Sequence, residues 1–367
     1  MIVLKVLIVL PQLRTGGGQK LALDEAVGLS RLPGFEVSVL CIGKKEDTIF
    51  TRLAEKNSIK VSYIGKSEGV SFSAMHKTTR FIKSEKPDIV HTHLLAMPYT
   101  LLAALKYKNI RFFHTIHNVA DKEGERMGKL EKYAYCHTNF TPVAISDYCA
   151  ETVCKFYGLP KERVPVIYNG IDTKRFACVN EYSKRKGRLT IISVGRMQKV
   201  KRHTMMTEVF SELVRAGFDA QLIFLGDGEL RPQVEDCIKR LGIEDRVFLR
   251  GITENVESEL NNAHIYLSAS EHEGLPLSVL EAMSCGLPVV SFRAGGTVDI
   301  VDEHNGILCD TDNKKQLSDA LIKMASDSVL REKMSEASLK RSAGYDISKC
   351  VDRYAALFEA AVKKKGK

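Results

Sequence analysis

The sequence predicts an α/β protein of two domains, each built around a parallel β-sheet. Three observations lead there. Apolar runs of strand length alternate with segments of helical periodicity along the whole chain, the pattern of sheets covered on both faces by helices. A chain of 367 residues exceeds one ordinary domain, and 44% of it is hydrophobic, enough for real cores. Each half also carries its own set of strand-like runs, so each half can close its own core.

The expected strands of the front half are IVLKVLIVL, EVSVLCIG, KVSYIG, PDIVHTH, RFFHTIH, TPVAIS and VPVIYNGI. Those of the back half are RLTIISVG, AQLIFLGDG, RVFLRGI, HIYLSAS and LPVVSFR. Between them the polar stretch NEYSKRKGR, Asn180–Arg188, reads as a hinge. The segment DISKCVDRYAALFEAAVKK has apolar residues at helical spacing and reads as a terminal helix packing back on the front domain. The expected division is therefore 1–180, 181–345 and a helix within 346–367. Two Rossmann-like domains facing each other across a cleft is the economical architecture, with ligands beyond the strand C-termini.

Composition narrows the function classes. No apolar run approaches the roughly 20 residues of a membrane span. The opening IVLKVLIVLP lacks a basic lead-in and a small-residue cleavage site, and reads as a buried first strand, not a signal peptide. The 9 cysteines form no CxxC pair, which argues against a disulfide framework or a zinc ribbon and for a reducing cytosol. The net charge of +9 falls wholly in residues 1–180, and the tail Lys363, Lys364, Lys365 and Lys367 is basic as well. Such a front half suits an anionic partner such as a membrane surface, or is simply a lysine-rich solvated surface. There is no tryptophan and no aromatic-studded basic strand, so nucleic acid is not an expected partner.

Five stretches carry candidate chemistry. In RTGGGQKLALDEAV, glycines 16–18 follow the first strand. Gly17 and Gly18 allow close backbone approach, and the following helix offers free N–H groups to a phosphate; a tight turn alone is the plainer reading. Histidines stand at strand ends, His91 and His93 in HTH and His114 and His117 in HTIHN. Period-two spacing puts His91 and His93 on one face, but no nearby acid or cysteine completes a metal site, and none is expected. His91 and His114 read as buried and hydrogen-bonded, while His117, past a strand end, is the best placed to face a cleft. In SVGRMQKVKRHT a strand ends at Gly195, and Arg196 and Lys201 follow as a pair suited to a diphosphate, or to an exposed basic turn. LGDGELRP is another strand-to-helix turn. In SEHEGLPLSVLEAMSCGLPVV, Leu277, Leu280 and Met283 recur at helical spacing, with Pro276 in the first turn and Gly286 as the stop. Glu273 would then precede a helix that contains Glu281. Carboxylates accept hydroxyls, so Glu281 suits a ribose diol, Glu273 a sugar hydroxyl, and the amides of Gly274 and Leu275 can meet ligand oxygens.

Taken together, TGGGQ, PDIVHTH, VIYNGID, GRMQKVK and EHEGLPLSVLEAMSCGLPVV, with its Glu-x7-Glu spacing, resemble the family 4 retaining glycosyltransferases of GT-B architecture over nearly the whole chain. The resemblance implies a nucleotide sugar bound mainly by the C-terminal domain, with no further cofactor and no bound metal. Arg196 and Lys201 would grip the diphosphate after Gly195, Glu281 the ribose and Glu273 the donor sugar. The backbone of Arg250, Gly251 and Ile252 would meet the base, Gly17 and Gly18 the phosphates or sugar, and His117 would line the sugar site. The N-terminal domain would receive a glycan or lipid-linked acceptor in cell-surface polysaccharide synthesis, from the cytoplasm or peripherally at the inner membrane face. A UDP-hexose or UDP-N-acetylhexosamine is the expected donor ahead of GDP-mannose. Three positions depart from the family's usual pattern: Arg202 where glycine often follows the lysine, Asp299 where glutamate is usual, and Gln19 where an acid is common. Competing readings are a UDP-sugar 2-epimerase of the same architecture, a phosphorylase, and a non-enzymatic basic binding protein.

Overall fold

The computed structural model describes residues 3–14, 16–67, 69–123, 127–179, 182–185 and 187–363. The chain divides into two compact units: Met1–Gly170 with Ile347–Lys367, and Ile171–Asp346.

Unit 1 runs β1 (Leu4–Leu10), α1 (Gly17–Ser30), β2 (Phe35–Gly43), α2 (Ile49–Lys56), β3 (Lys60–Lys66), α3 (Phe72–Glu85), β4 (Ile89–His93), α4 (Met97–Lys106), β5 (Arg111–Ile116), α5 (Ala120–Glu123), α6 (Gly128–His137), β6 (Phe140–Ala144) and α7 (Asp147–Tyr157). Unit 2 runs β7 (Leu189–Val194), α8 (His203–Arg215), β8 (Ala220–Leu225), α9 (Arg231–Leu241), β9 (Val247–Gly251), α10 (Val256–Asn261), β10 (Ile265–Ser268), α11 (Leu277–Ser284), β11 (Val289–Phe292), β12 (Gly306–Cys309), α12 (Lys314–Ser326) and α13 (Ser328–Ser342). The chain then returns to unit 1 with α14 (Ile347–Lys363).

Each unit holds a six-stranded sheet, ordered β3-β2-β1-β4-β5-β6 in unit 1 and β12-β11-β10-β7-β8-β9 in unit 2. All pairings are parallel, as between β1 and β4 and between β7 and β10. The two orders are the same doubly wound order read from opposite ends, and strand order reverses at β1/β4 and at β7/β10. In such sheets the carboxyl ends at the reversal point are where ligands bind. Helices cover both faces, which is why strands such as LKVLIVL are buried almost throughout.

The structure corrects several expectations. VPVIYNGI adds no strand to the sheet. Pro165 has no N–H for a ladder, and the segment makes only isolated bridges, Val166 with Ala144 and Ile171 with Asp346. The four-residue β12, GILC, was not expected. Pro276 is the residue before α11, not part of its first turn. The unit boundary falls at 170/171, not 180/181, because the intervening residues are tied into unit 2: Val179 N donates to Asn261 Oδ1 at 3.0 Å, Asn261 Nδ2 donates to Ala177 O at 3.0 Å, and Arg175 pairs with Glu257 at 2.9 Å. The second boundary falls at 346/347, since Asp346 bridges Ile171 and accepts from Thr173.

Of the expected hinge, Asn180, Glu181 and Lys186 lie outside the described residues. Tyr182 and Arg185 do not behave as a free linker. The Tyr182 hydroxyl donates to His264 O at 2.5 Å, and the Arg185 guanidinium donates to Ala263 O and Cys285 O. Lys363 ends α14, and Lys364, Lys365 and Lys367 lie outside the described residues. Packing of α14 on α1 is close: a Cβ on Gly28 would overlap the Val351 side chain. All nine cysteines are free thiols, and no helix among the described residues is long and apolar enough to cross a membrane.

Candidate functional site

In unit 2 two of the predicted residues, Lys201 and Glu273, come together at the carboxyl ends of β7 and β10, the reversal point. After β7 the chain turns at Gly195 and makes a short 3-10 turn, Lys199–Lys201, before α8. After β10 it runs through Ser270–Pro276 into α11. Lys201 Nζ crosses this gap to Glu273 Oε1 at 2.5 Å, with both side chains mostly buried. The backbone holds the two loops together as well, since Glu271 N donates to Val200 O at 2.9 Å.

Glycines let the backbones approach this closely. A Cβ on Gly226 would collide with the Gly195 carbonyl, one on Gly228 would meet Met197 N at 2.8 Å, and one on Gly295, which sits at φ +55°, would collide with the Glu273 carbonyl. Gly296 N donates to that same carbonyl at 3.0 Å. Glu273 is therefore fixed from behind by the turn after β11 and in front by Lys201.

Two residues here carried no functional signal in the sequence. Tyr266 looks like an ordinary strand residue in HIYLSAS, yet its hydroxyl donates to Ser278 Oγ at 2.9 Å and lies 3.3 Å from Val194 O. Burial first, then the Glu273 and Glu281 carboxylates nearby, push its phenol well above the ordinary range, so it stays a donor. His203 opens α8 and lines a polar cavity of ≈ 10 Å³, room for about one water, with Ser193, Lys201, Ser268 and Ser270. Its ring is buried beside the Gly195 backbone, and burial first, then the Lys201 charge, lowers its pKa to about 4.

The remaining unit 2 residues are spread more widely. Arg196 lies after Gly195 but points outward: its side chain is 65% exposed and 3.6 Å from Glu229. Glu281 is half-buried on α11, while Gly274 and Leu275 are buried just before it. At the end of β9, Arg250 is exposed and stacks over Phe248 at 5.6 Å, Gly251 sits at φ +72°, and Ile252 is exposed. Gly226 N donates to Gly251 O at 2.7 Å, so this strand end adjoins the LGDG turn. Arg202 adopts the left-handed conformation, φ +52°, which explains why glycine is common there. Its guanidinium is held by Asp312 and by Glu271, the latter at 3.4 Å.

In unit 1 the corresponding reversal point carries the glycine turn and the histidines. Helix α1 starts at Gly17 with no acid in its first turn, which leaves its N-terminal N–H groups uncontested by negative side chains. A Cβ on Gly18 would stand 2.8 Å from Leu94 Cδ2 and 3.3 Å from His117 Nδ1. Gln19 folds back over Gly16. Leu94, just after β4, sits at φ +55°, a strained conformation for leucine that costs about 1–2 kcal/mol.

The histidines are packed together. His91 and His93 have ring centroids 4.2 Å apart, and His114 Nδ1 bonds Thr92 Oγ1 at 2.9 Å. The expectation that no acid joins them is overturned: Glu25, far away in sequence on α1, brings its carboxylate to His91 Nδ1 at 2.7 Å. Glu25, His91 and His93 are a buried trio whose ligand-type atoms lie within 4.8 Å of one another. Both His91 ring nitrogens already have hydrogen-bond partners, the second being Thr115 Oγ1 at 2.7 Å, so the trio reads as a hydrogen-bonded network.

Two family profiles divide the chain between them. Residues 15–175 match Glycosyltransferase Family 4, and residues 176–341 match Glycosyl transferases group 1. The chain belongs to the family 4 glycosyltransferases. This glycosyltransferase is 28% identical over 349 residues to an uncharacterized glycosyltransferase of Haemophilus influenzae, covering 92% of this chain and 95% of that protein. It is 25% identical over 299 residues to a UDP-Gal:alpha-D-GlcNAc-diphosphoundecaprenol alpha-1,3-galactosyltransferase of Escherichia coli, covering 76% and 77% respectively. Among solved structures, Anabaena HepE in complex with UDP and glucose superimposes with a TM-score of 0.84, covering 97% of this chain and 100% of that one at 18% identity. The glycosyltransferase thus has the GT-B fold.

Proposed function

We propose that this glycosyltransferase moves a hexose or N-acetylhexosamine from a UDP-sugar to a glycan or lipid-linked acceptor, with retention of anomeric configuration, in cell-surface polysaccharide synthesis. The observation that carries the reading is the meeting of Lys201 with Glu273 at the β7/β10 reversal point, with both Glu273 and Glu281 close enough to Tyr266 to act on its phenol. The donor and acceptor classes are supported by the UDP and undecaprenol-linked sugar in the names of the relatives above.

In this reading Lys201 and Arg196 hold the diphosphate, Glu281 the ribose, and Glu273 with the Gly274 and Leu275 amides the donor sugar. The Arg250–Ile252 backbone meets the base. Gly17, Gly18 and His117 of unit 1 meet the transferred sugar. The chemical task is departure of the nucleoside diphosphate as the anomeric carbon becomes oxocarbenium-like. The anomeric C–O bond breaks, its electrons stay on the diphosphate, and the two cationic side chains stabilise that growing charge most in the transition state. A front-face route, in which the leaving phosphate takes the acceptor's proton, needs no carboxylate nucleophile from this chain. The basic excess of residues 1–180 and the lysine tail suit reversible attachment to an anionic inner membrane face from the cytoplasm.

A thermal-shift panel of sugar nucleotides tests the donor. At about 100 times its dissociation constant a true donor adds about 2.7 kcal/mol of stability, and a UDP-hexose should shift the melt more than GDP-mannose. Slow UDP release without acceptor and an NMR assignment of product anomer complete the test. No response to any nucleotide sugar would sink the reading, and a covalently glycosylated peptide would overturn the front-face route.

A further inference from the structure

Beneath the glycine turn of unit 1 runs a line of buried polar side chains that the roles above leave unused. Glu25, His91, His93, Thr115 and Tyr354 are all fully buried. The contacts run from α14 inward: Tyr354 Oη to Thr115 Oγ1, 2.8 Å; Thr115 Oγ1 to His91 Nε2, 2.7 Å; His91 Nδ1 to Glu25 Oε1, 2.7 Å. On the far side His93 Nε2 lies 3.6 Å from Glu25 Oε2, and His93 Nδ1 lies 3.0 Å from His117 Nε2.

The proton positions along this line follow from the inventory of donors and acceptors. A carboxylate only accepts, so His91 keeps its proton on Nδ1 and donates that hydrogen bond to Glu25. His91 Nε2 then accepts from Thr115, and Thr115 accepts from Tyr354. The second Glu25 oxygen has no hydrogen-bond partner, and neither has His93 Nε2. Their 3.6 Å separation is too long for a hydrogen bond, but in a low-dielectric interior the carboxylate still favours an N–H over a lone pair facing it. A neutral imidazole has one proton, so His93 Nδ1 is bare and the 3.0 Å contact requires the proton to sit on His117 Nε2. Burial and the neighbouring histidines keep both rings neutral, His93 well below the ordinary value and His117 at about 3.

We infer that Glu25 and His93 are positioning residues that lock His117 in its Nε2–H tautomer, leaving Nδ1 at the Gly18 turn as an acceptor for a ligand hydroxyl. Phosphate, which has no proton to give at neutral pH when esterified, is a poor partner for such a nitrogen. The choice of a sugar hydroxyl as the partner rests on the transferase reading. The tautomer does not.

Two-bond ¹H–¹⁵N NMR on the ligand-free protein with ¹⁵N-labelled histidines tests the inference near pH 7, with the His117 signals identified by their loss in His117→Gln. A protonated Nε2 and a bare Nδ1 are expected. Glu25→Gln, whose amide can donate to His93 Nε2, should reverse the line and move the His117 proton to Nδ1. A wild-type His117 protonated at Nδ1 or at both nitrogens overturns the inference, as does a Glu25→Gln spectrum identical to wild type; the wild-type spectrum decides alone if that variant does not fold. In binding assays Glu25→Gln should weaken a UDP-sugar about ten-fold and leave UDP unchanged, whereas a change in UDP as large as that in the UDP-sugar, in either direction, would overturn the hydroxyl assignment. Absence of any nucleotide-sugar binding by wild type would sink the transferase reading while the tautomer remained measured.

Discussion

Lys201 and Glu273, 72 residues apart in sequence, pair at 2.5 Å across the point where the unit 2 sheet reverses its strand order. The pair is mostly buried and its two loops are joined by a backbone hydrogen bond, so it is preorganised before any ligand arrives. Lys201→Ala should lower kcat about 10²-fold, roughly 3 kcal/mol of lost transition-state stabilisation. Glu273→Gln should fall by less, and the double variant should be non-additive by about 0.5–3 kcal/mol, as expected for residues in contact. A double-mutant cycle on transfer rates checks this, and strict additivity would show that the two act separately.

Gly295 stands behind Glu273 in a conformation that side chains rarely adopt, with no room for a Cβ. Gly295→Ala must push the Glu273 backbone forward. The expected loss is about 1–3 kcal/mol of stability, with kcat falling more steeply than stability alone explains. Denaturant melts and initial rates on the same preparation test it; unchanged transfer would mean that Glu273 has slack behind it.

Arg202 holds a left-handed backbone where glycine would rest without strain. Arg202→Gly loses the ion pairs to Glu271 and Asp312 but relieves about 1–2 kcal/mol of backbone strain. Arg202→Ala loses the pairs and keeps the strain. Alanine should therefore melt below glycine in calorimetry, and the reverse order would show that relief of backbone strain does not dominate this turn.

Stability should fall as pH drops from 6.5 toward 5. Burial lowers the pKa of His114 to about 3 and of His203 and His264 to about 4. Above the ordinary histidine value both folded and unfolded chains are neutral at these sites, and they add no pH dependence. Below it the unfolded chain binds the protons first, so unfolding gains by up to about 1.4 kcal/mol per pH unit per histidine. Glu131, raised by burial, pulls the other way, but the three histidines, joined by His93 and His117, whose values are also lowered by burial, outweigh one carboxyl. Urea unfolding at three pH values tests this; a flat profile between 6.5 and 5 would contradict it.

Much of this was legible in the sequence, for identifiable reasons. Strands buried on both faces, such as LKVLIVL, leave continuous apolar runs, and Glu273, Arg196 and Lys201 sit in turns flagged by glycine and proline, with Glu281 on the helix that follows. What escaped depends on distance in sequence. Glu25 lies 66 residues before His91 and, following Asp24 on α1, has no local mark of its role. Tyr266 is indistinguishable from a core residue until its hydroxyl is seen against Ser278. The unit boundary was misjudged because 171–179 has an unremarkable composition and is fixed by remote partners such as Asn261. Strand β12 has four residues, one of them glycine, below what pattern reading detects.

The return of α14 to unit 1 bears on how the molecule is born. Cys350, Val351, Tyr354, Ala355 and Phe358 complete a core whose other members, Leu4 through Ile167, leave the ribosome long before them. Domains tend to fold in the order they are synthesised, but this one must wait, part-formed and with the α1 flank uncovered, while all of unit 2 is translated. Nascent chains stalled before Ile347 should be correspondingly open to proteolysis and to chaperone capture along that flank.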